Sequence, residues 1–288
     1  MPTIRSFTLD ASKLAPVIYK SLPHETTSTG LVVEPEVQEE LEEFLAEFLH
    51  FVGSHEKVYL RVDAFPNGAN LDIIEINVEC REGWGIALNL LASAGEALDS
   101  DAALFLPSEL MGVNDDYLPE FELAKREAER YGHALTITPH ACVPGETFND
   151  KLYLAEFSRV WRGKRVRVPP MYARSWVNWG ELPDHVVFKF RDKNGPESRA
   201  ARFSVTDRAS IGKGTFVRSQ YERGNIIGQH RIGRFLLEDQ SVAQAIFMCA
   251  ANGGILAKTV TGYLQVAPPE TFIINDRTAK KGPLVLMS

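Results

Sequence analysis

The stretch YLRVDAFPNGANLDIIEINVECREGWG, residues 59–85, decides how the rest of the chain is read. Val58, Leu60 and Val62 alternate with Tyr59, Arg61 and Asp63, the period of a strand with one buried face. Pro66, Asn67 and Gly68 bring turn chemistry. LDIIEINV then alternates again, with Leu71, Ile73, Glu75 and Asn77 on one parity and Ile74, Ile76 and Val78 on the other. The spacing predicts strands over 57–65 and 71–78, with Arg61 sharing a face with Asp63 and Glu75 with Asn77. An ordinary hairpin needs no gathering of oxygen donors on one face, whereas magnesium is a hard cation that takes carboxylate and amide oxygens. Asp63, Glu75 and Asn77 are therefore candidate metal ligands. Arg61 is a candidate to stabilise charge on a transferring phosphate. The competing reading is an edge hairpin with a polar face.

Outward from the hairpin, EPEVQEELEEFLAEFLHFVGS (34–54) predicts a helix. Pro35 suits its first turn, acidic residues crowd its start and Gly53 ends it. Val37, Leu41, Phe44, Leu45 and Phe48 form its apolar stripe. Downstream, GIALNLLASAGEAL (85–98) and ELAKREAERYG (122–132) read as helices and HALTITP (133–139) as a strand. LYLAEFSRVW (152–161) opens as a helix, and a Gly turn and a short basic extended piece follow it. VVFKFRD (186–192) is a strand, ASIGKGTFV (209–217) a loop and QSVAQAIFMCAANGG (240–254) a helix. ILAKTVTGYLQVA (255–267) and TFIIND (271–276) are extended. Mixed helices and strands without repeats predict an α/β or α+β protein, and α+β is the class expected here.

Composition narrows the partners. The formal charge is −7, against a nucleic-acid face, and 28 aromatic residues (16 Phe, 8 Tyr and 4 Trp) argue against disorder. The three cysteines, Cys80, Cys142 and Cys249, show no zinc or disulfide spacing. With no signal-like start and no apolar run of spanning length, a cytoplasmic protein with no membrane partner is expected. Cys142 and His140 form no evident nucleophile, base and acid set.

Two later features bear on the hairpin. Lys189, centred in VVFKF, must place its ammonium beside an anion or at an edge. Gly212, Lys213 and Gly214 in SIGKGTF form a loop able to lay backbone N–H groups over phosphates, although the spacing is not that of a Walker loop. Lys164, Arg165 and Arg167 line a cleft or an exposed strand face, and Arg202, Arg208, Arg231 and Arg234 are further anion candidates. Asn275 and Asp276 belong near the site or to a turn.

Arg61-Val62-Asp63 and Glu75-Ile76-Asn77, twelve residues from acid to acid, together with VVFKFRD and SIGKGTF, resemble the ATP-grasp proteins of circularly permuted motif order. The synthetase domain of glutathionylspermidine synthase typifies that family. The resemblance implies an ATP-grasp-like fold, with two lobes around a nucleotide cleft. It implies ATP and Mg2+ as cofactors, with the metal on Asp63, Glu75 and Asn77. Lys189, Gly212, Lys213 and Gly214 would hold phosphate, and Gln244, in AQAIF, would lie by the adenine. It divides the chain into a metal-site portion (1–100), a substrate or pre-ATP-like region (101–180) and a nucleotide-binding portion (181–288). The chain departs from the family in its short length and in Phe-Arg-Asp after Lys189, where Lys-Pro is common.

The activity implied is ATP-dependent carboxylate–amine ligation. A small-molecule or peptide carboxylate takes the γ-phosphoryl group as an acyl phosphate, which an amine then attacks. Two alternatives stand beside it: a non-catalytic nucleotide-binding or protein-interaction module, and an ATP-dependent small-molecule kinase.

Overall fold

The computed structural model describes residues 4–14, 16–19, 22–53, 58–78, 83, 86–87, 90, 94, 109–111, 118–130, 136–138, 150–192, 216–233, 235–252, 255–271, 274 and 278–286. Its strands are β1 (Ile4–Thr8), β2 (Val17–Tyr19), β3 (Leu22–His24), β4 (Thr29–Val33), β5 (Val58–Asn67), β6 (Asn70–Val78), β7 (Glu109–Met111) and β8 (Thr136–Thr138). They continue as β9 (Val166–Arg167), β10 (Met171–Tyr172), β11 (Val186–Phe190), β12 (Ile226–His230), β13 (Phe235–Leu236), β14 (Val242–Asn252), β15 (Ile255–Ala267) and β16 (Lys280–Leu286). The labelled helices are α1 (Pro35–Val52), α2 (Leu118–Arg130), α3 (Lys151–Phe157) and α4 (Phe216–Glu222).

Nine strands form the main sheet, in the order β1-β4-β16-β15-β14-β5-β6-β9, with β13 added to β14. The pairings are antiparallel except β16–β4 and β6–β9. Strands from both ends of the chain thus interleave in one sheet. A smaller sheet, β10-β12-β11, stands apart, and β2–β3 and β7–β8 make two-stranded pairs.

One face of the main sheet is apolar because alternate residues are. Leu60, Val62 and Ala64 of β5, Leu71 and Ile73 of β6, Ala245 and Phe247 of β14 and Leu264 of β15 all belong to a single buried cluster. Helix α1 covers it with Val37, Leu41, Phe44, Leu45, Phe48 and Leu49, each 2% exposed or less. Burial of such side chains is worth roughly 1.5–3 kcal/mol apiece before chain entropy is subtracted. The expected helix over 34–54 therefore stands: Pro35 occupies its first turn, and Gly53 closes it at φ 69° with its N–H on His50 O. Glu40, on the same helix, accepts from the N–H groups of Arg165 (2.8 Å) and Val166 (2.9 Å), which pins β9 as an edge strand. Gly163 is needed there, since a Cβ would meet Val166 O at 2.4 Å and Glu40 Oε1 at 2.5 Å.

The small sheet has its own core. Val186, Phe188 and Ile226 pack with Leu182 and Tyr221, and the Trp179 ring stacks on Phe188 at 5.4 Å. Tyr221 donates its hydroxyl to Val177 O at 2.9 Å, and burial pushes its pKa up to about 12.

The structure corrects three of the sequence expectations, the smallest being that Phe216 and Val217, placed in the loop 209–217, open helix α4. Residues 240–254 do not form a helix: 242–252 are β14, paired with β5 on one side and β15 on the other. A strand with two strand neighbours and two covered faces loses the polar alternation that marks a strand, and its alanines then mimic helix composition. TFIIND is not a strand at Thr271 or Ile274, and its other residues lie outside the described ones. The helix expected at 122–132 begins earlier, at Leu118. The strand expected within 133–139 is β8. Of the helix expected at 85–98, only Ile86, Ala87, Leu90 and Ala94 are described, and all four are helical and buried.

Candidate functional site

The face of β5 and β6 that turns away from α1 carries the polar residues of the opening hairpin. Asp63 and Glu75 are direct cross-strand partners, and Arg61 faces Asn77 two pairs further along, on the same face. Side chains so paired stand about 5 Å apart at Cβ. The register slips between Asp63 and Ala64, so Ile74 faces no residue of β5. This β-bulge re-aims the backbone beside the acidic pair. Lys189 Nζ, arriving from β11 of the small sheet, donates to Ile74 O at 2.8 Å.

Three cations meet two carboxylates here. Arg61 grips Asp63 through Nε to Oδ1 (2.8 Å) and Nη2 to Oδ2 (3.3 Å). Glu75 lies between two ammonium groups, Lys151 Nζ at 3.3 Å from Oε1 and Lys189 Nζ at 3.7 Å from Oε2. The five side chains are only 6–15% exposed, so removing either carboxylate leaves uncompensated positive charge in a poor solvent, whereas removing one lysine leaves Glu75 the other.

A cavity of about 190 Å³ opens between the two sheets. Asp63, Glu75, Lys189 and Gln244, from four different strands, line it together. Phe65, Val187 and Ile232 form apolar wall, and Gln229 and Arg231 add polar groups at the end of β12. Gln229 is 3% exposed, and its amide Nε2 has no hydrogen-bond partner among the described residues. Arg61 and Asn77, also expected at the site, are not among its lining residues. Gly212, Lys213 and Gly214 lie outside the described residues, as do His140, Cys142, Arg202, Arg208, Arg234, Asn275 and Asp276.

Other expected anion candidates have structural employment. Arg165 Nη2 meets Glu36 at 2.8 Å, and Arg167 holds the buried carboxylate of Asp72 at 3.1 Å. Cys249 is buried on β14 among the core residues.

Sequence reading missed Gln229 of the lining and, beside Glu75, Lys151. It opens α3, where a helix dipole disfavours a cation, and that misplacement was the available signal. Asp150 caps the same helix by accepting from Leu152 N at 2.8 Å, and it pairs with Arg191 through Nε at 3.0 Å and through Nη2. Burial pushes the Asp150 carboxyl up, but the Arg191 hydrogen bonds, the Leu152 amide and the charges of Arg191 and Lys151 outweigh it. The net shift is downward.

The oxygen donors Asp63, Glu75 and Asn77 suit a hard cation, and Lys189, Arg231 and Gln229 suit the oxygens of an anion beside it. Among the described residues no three His, Cys, Asp or Glu side chains gather as a metal group. A cation held by the two carboxylates and the amide would share them with Arg61 and the lysines. At about 190 Å³ the cavity is smaller than the roughly 300–1,000 Å³ usual for whole ligands. It has the size for the reacting end of one.

No protein-family model matches the chain, and no curated protein matches it. Among solved structures, it is similar to a candidate gamma-glutamylcysteine synthetase from Methylobacillus flagellatus KT, at 13% identity and a TM-score of 0.38, over 86% of this chain and 87% of that one. Similarity of that extent assigns neither fold nor activity. No helix among the described residues is long and apolar enough to cross a membrane.

Proposed function

We propose that the protein is an ATP-dependent carboxylate–amine ligase of ATP-grasp type with permuted motif order, working with Mg2+ in the cavity between the two sheets. The observation that carries this reading is the meeting of Asp63, Glu75, Lys189 and Gln244 around one cavity. Asp63 and Glu75 were nominated together from the hairpin for metal, Lys189 from its strand for phosphate, and Gln244 through the family resemblance alone, for adenine.

In this reading Asp63, Glu75 and Asn77 hold Mg2+, which when bound supplies charge neutralisation for the phosphates. Lys189 binds phosphate, in company with Gly212, Lys213 and Gly214. Arg61 orients Asp63 through its two hydrogen bonds and adds positive charge near the transferring group. The substrate carboxylate takes the γ-phosphoryl group, ADP leaves, and an amine displaces phosphate to form the amide. The apolar wall of Phe65 and Val187 excludes water, which protects an acyl phosphate from hydrolysis.

Calorimetry tests the site. ATP should bind in the presence of magnesium, and binding should be lost in a folded Asp63→Asn/Glu75→Gln variant. An absence of wild-type binding across millimolar ATP would sink the proposal. One observation favours a second reading, a nucleotide-binding module without ligation: both carboxylates are already engaged by cations. ATP bound but never converted to ADP, with any carboxylate and amine supplied, would select it.

A further inference from the structure

A second cavity, of about 340 Å³, shares no lining residue with the first. It lies where the start of α3, the chain after β10 and the end of α4 meet, and three arginines, Arg174, Arg191 and Arg223, line it against one carboxylate, Glu222. That acid is already committed, since Glu222 Oε1 takes Arg218 Nε at 2.8 Å. Arg191 is held in place by Asp150, and its Nη1 donates to Gly224 O at 3.2 Å. Among the described residues the other two guanidinium groups meet no acid. Arg174 Nη1 donates to the neutral amide of Asn178 at 2.9 Å, and Arg223 has no side-chain partner among the described residues. In a chain of net charge −7, such a cluster runs against the average.

We propose that this cavity is a binding site for a small oxyanion bearing two or more negative charges, carried as phosphate or carboxylate groups. Guanidinium forks match the geometry of both and form charge-assisted hydrogen bonds with them. Arg191, fixed by Asp150, supplies the rigid side of the site. Arg174 and Arg223 are the adaptable side, and their remaining N–H groups close on the anion. The Ser175 hydroxyl, also in the lining, adds a donor or acceptor. The site is independent of the nucleotide reading, because it uses none of the residues around Glu75.

The test is calorimetric titration of the full-length chain with inorganic phosphate and, separately, with succinate, at low ionic strength and without nucleotide or magnesium. Three proteins are compared: wild type, Arg174→Ala/Arg223→Ala and Lys189→Ala. Both altered arginines are exposed, so the double variant should fold as wild type does, and a thermal melt checks this. Saturable binding of either anion is expected, weakened about tenfold or more in the arginine variant, as for loss of a charge-assisted contact. Lys189→Ala, checked by the same melt, should leave the arginine-dependent binding in place, whatever phosphate the first cavity also takes. Which anion binds tighter identifies phosphate or carboxylate as the natural group. Binding that disappears with Lys189, or that survives the arginine changes, would overturn the proposal, as would the absence of binding by both anions.

Discussion

Glu75 lies between the ammonium groups of Lys151 and Lys189, so its removal and theirs are unequal. Glu75→Gln leaves two buried cations facing each other and should cost about 3 kcal/mol or more. Lys151→Met leaves Glu75 its partner Lys189 and should cost less, about 1–3 kcal/mol. Urea denaturation midpoints measure both, and the opposite order would mean that Lys189 does not compensate Glu75. Asp150 offers a test in pH. Its folded pKa is below the ordinary aspartate value, so the unfolded chain binds its proton more readily. The stability it contributes is present above the unfolded value, about 3.9, and is lost as pH falls through the folded one. Asp150→Asn should therefore flatten the acid limb of a plot of melting temperature against pH. Lys151 and Asp150 are adjacent in sequence and were both passed over, because the periodicity of LYLAEF describes which face of a helix is buried but not what its first residues reach.

At the scale of elements, the hairpin was legible because each strand has one wet face and one dry face. β14 was not, because both its neighbours are strands and Val242 through Cys249 are all buried. Its place also constrains β15. A Cβ on Gly262 would stand 2.3 Å from Ile246 O of β14 and 2.4 Å from Leu284 Cδ2 of β16. Backbone cannot yield as a side-chain tip can, so Gly262→Ala should destabilise by about 1–3 kcal/mol, read from the shift of a urea or thermal transition. An unchanged midpoint would mean that β14 and β15 do not pack as closely as described. The bulge at Ile74 was likewise beyond sequence reading. Alternation shows parity, and it does not show where a ladder slips by one residue.

At the scale of the molecule, the candidate cavity joins two sheets with separate cores. A ligand that touches Asp63 on one and Lys189 on the other stabilises both only when they are assembled. Mg-ATP at about a hundred times its dissociation constant should then add about 2.7 kcal/mol. This would be measured as a rise in melting temperature that is absent from Asp63→Asn/Glu75→Gln. A rise that persists in the variant would place the ligand elsewhere. Sequence patterns nominated residues on both walls, yet the cavity itself depends on how two sheets are stacked, which no local periodicity encodes.

The parallel seam between β4 and β16 has a consequence in time. Leu31, Val32 and Val33 are almost wholly buried, but the strand they form borders β16, nearly the whole chain away in sequence. Until residues 280–286 are available, β1 and β4 have only each other. The apolar face of α1 must meanwhile wait for β14 and β15. Such pairings close long loops before they gain any contact, which slows collapse to the native arrangement and leaves strand edges open to other chains. Refolding from urea should be slow and dependent on protein concentration, and the nascent chain should be a substrate for chaperones until β16 is made.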